Sequence, residues 1–71
     1  MEQTLRAEMV ASVHSVLVHV GDAVAAGDTV VILESMKMEI PVLVETPGVV
    51  AEISVAPGDV IREGDVIAIL N

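Results

Sequence analysis

A chain of 71 residues has room for one domain, and a domain this small buries only about 60% of the surface its unfolded chain exposes. Hydrophobic residues make up 54% of it with no Phe, Tyr or Trp, and a core built on Val and Ile suits a pleated sheet better than a helix. The formal net charge of −8, from three basic and eleven acidic residues, and the absence of Cys exclude nucleic acid and anionic membrane as partners and rule out disulfides and thiolate metal sites.

The first four residues, Met1 to Thr4, lack the basic and apolar regions of a secretory leader and are expected to form a loose tail. No apolar run approaches the about 20 residues that span a bilayer, so the cytoplasm is the expected compartment. Strands are expected over Leu5–Met9, Ser12–Val18, a short piece at Val24, Thr29–Glu34, Glu39–Val44, Val49–Val55, a short piece at Val60-Ile61, and Val66–Leu70. Ile40, Val42 and Val44 alternate with outward positions, as do Val49, Ala51, Ile53 and Val55. That is the period of a strand with one buried face.

The chain repeats itself once. The stretch from Gly21 to Leu33 recurs from Gly58 to Leu70, with identities at Gly21/Gly58, Asp22/Asp59, Gly27/Gly64, Asp28/Asp65, Ile32/Ile69 and Leu33/Leu70. Val16 and Val18 fall on Ile53 and Val55 at the same spacing. Two copies are too few for a solenoid, which needs about three. Two similar halves about a pseudo-twofold axis fit better, as two small antiparallel sheets packed face to face in a flattened barrel or sandwich. The Gly-Asp pairs are turn residues, since Gly takes positive φ cheaply and Asp bonds its own backbone. Asp22, Asp28, Asp59 and Asp65 lack the Asp-x-Asp-x-Asp spacing of a calcium loop.

Between the halves lies Glu34-Ser35-Met36-Lys37-Met38-Glu39, joining two apolar strands without the Gly, Pro, Asn or Asp that hairpins prefer. Lys37 is the only lysine of the chain. Its bland reading is a solvated turn residue, and that of Met36 and Met38 is edge packing of the hairpin. A tight tip cannot bury both methionines, however, and exposed apolar groups rimmed by charge mark recognition surfaces. Glu34 and Glu39 form a strand-end charge rim rather than an acid/base pair. His14 and His19, five residues apart, fall on opposite faces of a strand and share no metal; His14 is expected to be partly covered and His19 solvated. No nucleophile–base pair or phosphate loop can be assembled, so catalysis is left to other proteins.

The run Glu34-Ser35-Met36-Lys37-Met38-Glu39-Ile40, flanked by Gly-Asp-x-x-x-x-Gly-Asp on both sides, resembles the attachment motif of biotinyl domains, and the resemblance extends from about Leu5 to Leu70. It implies a barrel-sandwich hybrid of two four-stranded antiparallel sheets spanning the single domain 1–71, with biotin held covalently on Lys37. Met36 and Met38 would be flanking recognition residues, with Glu34, Ser35 and Glu39 as hairpin context. A monomeric, non-catalytic carboxyl carrier is implied, modified by a biotin–protein ligase and serving a biotin carboxylase and a carboxyltransferase. Val10-Ala11 stands where the second half has Pro47-Gly48, whereas the family often has a Pro-Gly type turn in both. Val20 runs straight into Gly21-Asp22, leaving no protruding loop of the kind found in some acetyl-CoA carboxylase carriers. The resemblance therefore points to carriers of acyl-CoA or pyruvate carboxylases, or to free-standing biotinylated proteins. Lipoyl carriers share the fold, but their lysine usually follows Asp and precedes Ala. An unmodified adaptor of this fold would give Lys37 no special role.

Overall fold

In the computed structural model, which describes residues 2–71, eight strands follow one another: β1 (Gln3–Arg6), β2 (Ala11–Val16), β3 (Ala23–Val24), β4 (Thr29–Ser35), β5 (Met38–Leu43), β6 (Gly48–Ile53), β7 (Val60–Ile61) and β8 (Val66–Leu70). They form two antiparallel four-stranded sheets, in the orders β1-β8-β6-β3 and β5-β4-β2-β7. Moving along the chain by one repeat, the step from Gly21 to Gly58, turns each strand of one sheet into its counterpart in the other: β1 into β5, β2 into β6, β3 into β7 and β4 into β8. The all-β fold of two symmetric sheets is therefore as the sequence leads one to expect.

The core shows the same symmetry residue by residue. Its buried members are the pairs Ala7/Val44, Val13/Val50, Val24/Ile61, Val30/Ile67, Val31/Ala68 and Leu33/Leu70, with Ala11 in addition. Ala11 stands where the other half has Gly48, whose position admits no side chain: a Cβ there would lie 2.5 Å from the Asn71 carbonyl oxygen. Val30 and Val31 are both buried although adjacent, as are Ile67 and Ala68. The ladder shifts between Thr29 and Val31 and between Leu5 and Arg6, opposite Ile67. Bulges of this kind place two neighbours on the inner face where strict alternation would put one outside.

The four Gly-Asp turns interlock the halves. In each, the Asp N–H donates to the carbonyl three residues before, at 3.0–3.1 Å, closing His19–Asp22, Ala25–Asp28, Ala56–Asp59 and Arg62–Asp65. The carboxylate Oδ2 of the same Asp accepts the N–H of that first residue at 2.8–2.9 Å. Each glycine has φ of 91–97°, the third-position geometry of a type II turn. The same turns reach across the molecule. Gly21, Gly27, Gly58 and Gly64 donate to the carbonyls of Val50, Val44, Val13 and Ala7, whose own N–H groups donate back to Asp22, Asp28, Asp59 and Asp65. Turns of the first half hold buried residues of the second, and the reverse.

Three expectations are corrected. In β6 the buried residue is Val50, while Val49 and Ala51, expected on the inner face, are exposed, because the ladder shifts between Val50 and Glu52. Gln3 and Thr4 are no loose tail: they pair with Leu70 and Ile69, and Gln3 Nε2 donates to the Thr46 carbonyl at 2.8 Å. Of the rest of that expected tail, Glu2 is exposed and outside the strand, and Met1 lies outside the described residues. The first strand also stops at Arg6 rather than Met9, because Ala7 leaves the ladder to bond Gly64 and Asp65. The Gln3↔Leu70 pair is the symmetry mate of Ile40↔Leu33 in the β4–β5 hairpin.

Replacing Gly27 or Gly64 by Val forces a β-branched residue into left-handed backbone, and each change is expected to destabilise by about 1–3 kcal/mol. In a domain of this size each kcal/mol lowers the melting temperature by roughly 4–8 °C. Melts followed by far-ultraviolet circular dichroism check this, and unchanged melting would show that these turns carry no strain.

Candidate functional site

Strands β4 and β5 meet in a hairpin whose last rungs are Leu33↔Ile40, Glu34↔Glu39 and Ser35↔Met38. Only Met36 and Lys37 remain for the turn, and both have positive φ, 53° and 64°. Positive φ at both central residues defines a type I′ turn, the shape that matches strand twist and ordinarily calls for Asn-Gly. A side chain in this conformation costs roughly 1–2 kcal/mol per residue, so the tip is strained at Met36 and Lys37.

Little at the tip serves folding. Met36 is 91% exposed and Met38 61%, so Met36 forgoes the about 1.5–3 kcal/mol that burial of such a side chain would contribute. Edge packing therefore does not account for Met36. Lys37 is exposed, and among the described residues no hydrogen bond or ion pair engages its Nζ. Beneath it, Leu33 is buried in the core and ties the hairpin to the rigid body of the sheet. Ser35 is half-buried and pairs with Met38; Glu34 and Glu39 are both exposed and directly opposite. Like charges in that relation repel, which fits a charge rim held out to solvent.

The structure thus brings together at one tip all six residues singled out from the sequence: Glu34, Ser35, Met36, Lys37, Met38 and Glu39. His14 is drawn close as well, with Nε2 3.9 Å from Glu39 Oε2. Its side chain is 47% exposed, partly covered as expected. The ladder slips between Val13 and Ser15, so His14 is the bulged residue, and bulges re-aim side chains. His19 is solvated and lies 3.8 Å from Asp22 Oδ2, so the two histidines face separate carboxylates. The backbone strain at the tip went unseen in the sequence. The missing turn residues pointed to it, but the two-residue length that forces positive φ appears only with the register.

The arrangement offers one primary amine at the end of a stiff hairpin, framed by two exposed thioethers, and no group able to activate it. The description for biotin-requiring enzymes matches residues 3–70. The chain belongs to the biotin/lipoyl attachment family. This biotinyl domain is 54% identical, over the full length of both chains, to the biotinylated protein TB7.3 homolog of Mycobacterium leprae. It is 41% identical to the biotin/lipoyl attachment protein of Bacillus subtilis, covering 96% of this chain and 93% of that one. Urea carboxylase of Kluyveromyces lactis contains the same fold, with a TM-score of 0.93 and 34% identity over 100% of this chain and 6% of that one. The domain is of the carboxyl-carrier type, with biotin as its covalently attached cofactor. A solvated amine with open space around it suits that group.

If the turn is strained as its angles indicate, Met36→Asn and Lys37→Gly should each stabilise the domain by about 1 kcal/mol. Thermal melts of the two variants provide the check, and a fall in either would show that the wild-type side chain is supported by contacts.

Proposed function

We propose that Lys37 is the attachment residue, and that the loaded domain carries carboxyl groups between a biotin carboxylase and a carboxyltransferase in the cytoplasm. The observation that carries this reading is the sole lysine of the chain, held at a two-residue turn between exposed methionines. Its relatives named as biotinylated proteins support the modification, and the urea carboxylase likeness supports service in a carboxylase.

Loading forms an amide. The Lys37 Nζ lone pair attacks the acyl carbon of biotinyl adenylate; the C–N bond forms, the bond to the adenylate oxygen breaks, AMP departs and the amine gives up a proton. Among the described residues no side chain is hydrogen-bonded to the Lys37 Nζ to take its proton, so the ligase must supply the base. The domain contributes position. Its turn is already ordered, so binding avoids the about 1–2 kcal/mol per residue needed to fix a flexible backbone.

When bound, biotin supplies a ring nitrogen that accepts and releases carboxyl. The chain's own residues hold that arm on the outermost point of the body, clear of both sheets. Tethering keeps it at high effective concentration near each active site. Met36 and Met38 present adaptable apolar contact to successive partners, and the solvated Glu34/Glu39 rim adds contacts weak enough to release.

Co-expression with a biotin–protein ligase should add one biotinyl group per chain, placed on Lys37 by peptide mass spectrometry. Lys37→Arg should abolish the addition while stability stays within about ±0.5 kcal/mol, as for other exposed side chains. A lipoyl mass at Lys37, or biotin retained by the variant, would sink the proposal.

A further inference from the structure

Symmetry supplies a control inside the molecule. The two poles of the fold are built on the same strands, so folding makes similar demands at mate positions, and only one pole carries the lysine. Exposed valines occur at both poles, so those at the pole without the lysine serve as controls for those beside it.

Two such residues lie beside the hairpin. Ser12 pairs with Glu34 and with Val60, and Glu34 pairs with Glu39. Val60, Ser12, Glu34 and Glu39 therefore form one row across the outer face of the sheet, one rung below Ser35↔Met38. Val60 is 70% exposed, and its mate is Ala23. Val10 precedes Ser12 by two residues, at the height of the turn itself, and is 62% exposed; its mate is Pro47. Together with Met36 and Met38 these side chains make an apolar collar around Lys37, interrupted by the two carboxylates.

We infer that Val10 and Val60 are part of the surface on which the biotin–protein ligase seats the domain, an inference that rests on Lys37 being the attachment residue. The ligase is distinguished from the carboxylase partners by reach. To acylate the bare amine it must bring its acyl carbon to bonding distance of Nζ, so its walls close on the body of the domain around the turn. The carboxylase and carboxyltransferase meet the end of an extended arm, so they need touch only Met36 and Met38 at the tip and not Val10 and Val60 below it. The seat on the ligase would be apolar, with Lys or Arg side chains opposite Glu34 and Glu39, since paired carboxylates call for cations across an interface.

The experiment uses the full chain with biotin, ATP and a ligase. Val10→Ser and Val60→Ser should each raise KM for the domain by about tenfold, the loss expected when one buried valine contact is removed, with kcat and melting temperature unchanged. Val20→Ser and Val49→Ser remove exposed valines at the opposite pole and should leave KM as in wild type. Once biotinylated by prolonged reaction, the tip variants should be carboxylated at the wild-type rate. Unchanged KM in both tip variants, equal losses at both poles, or a lowered melting temperature in the tip variants overturns the inference. Biotin found elsewhere than Lys37 in the wild-type chain overturns the attachment reading instead.

Discussion

The fold depends on the reciprocity of its Gly-Asp turns. Each turn bonds internally through the carboxylate and backbone of its Asp, then exchanges a pair of backbone hydrogen bonds with a buried residue of the other half: Val50, Val44, Val13 or Ala7. Neither half can satisfy these donors and acceptors alone, and an unpaired buried peptide group is costly. The short strands β3 and β7, two residues each, would be too small to hold an edge by themselves. With the turns clamped on both sides of them, they close the sheets over a core that contains no aromatic ring.

This interlocking frees the hairpin tip from any structural duty. Stability resides in the paired valines, isoleucines and leucines of the core and in the clamped turns, so the tip can hold two side chains in left-handed backbone and an apolar thioether in water. Neither feature would be expected of a segment on which folding relied. A strained but well-anchored turn is a fixed target for an enzyme that must find one amine among few, and its residues can be chosen for partners.

Much of this was legible in the chain because it is written twice. The identities Gly21/Gly58, Asp22/Asp59, Gly27/Gly64 and Asp28/Asp65 located the turns, and the unrepeated Ser35-Met36-Lys37-Met38 marked the candidate site at the hairpin tip. The cross-molecule direction of the clamps was not legible: bonds such as Gly21 to Val50 join residues far apart in the chain and leave no local pattern. Gln3 and Thr4 looked like tail because neither is strongly apolar; their order comes from the partners Leu70 and Ile69, which the local sequence does not announce. The placement of His14 beside Glu39 was missed for a related reason. A bulge changes which face a residue points to, and the slip between Val13 and Ser15 arises from the fit of β2 on β4 rather than from either strand's own alternation.

The pairing of Gln3 with Leu70 has a consequence of its own. Because it mates with the rung Ile40↔Leu33, the beginning and end of the described chain emerge side by side at the pole that answers to the hairpin, on a body 33 Å long and about half as wide. The ends of the described chain and the Lys37 turn are thus at opposite poles. A domain so arranged can be strung into a much longer polypeptide by either end, like a lantern on a pole, and still hold its amine to the outside. That the same fold occupies only 6% of a urea carboxylase chain is what such a geometry permits.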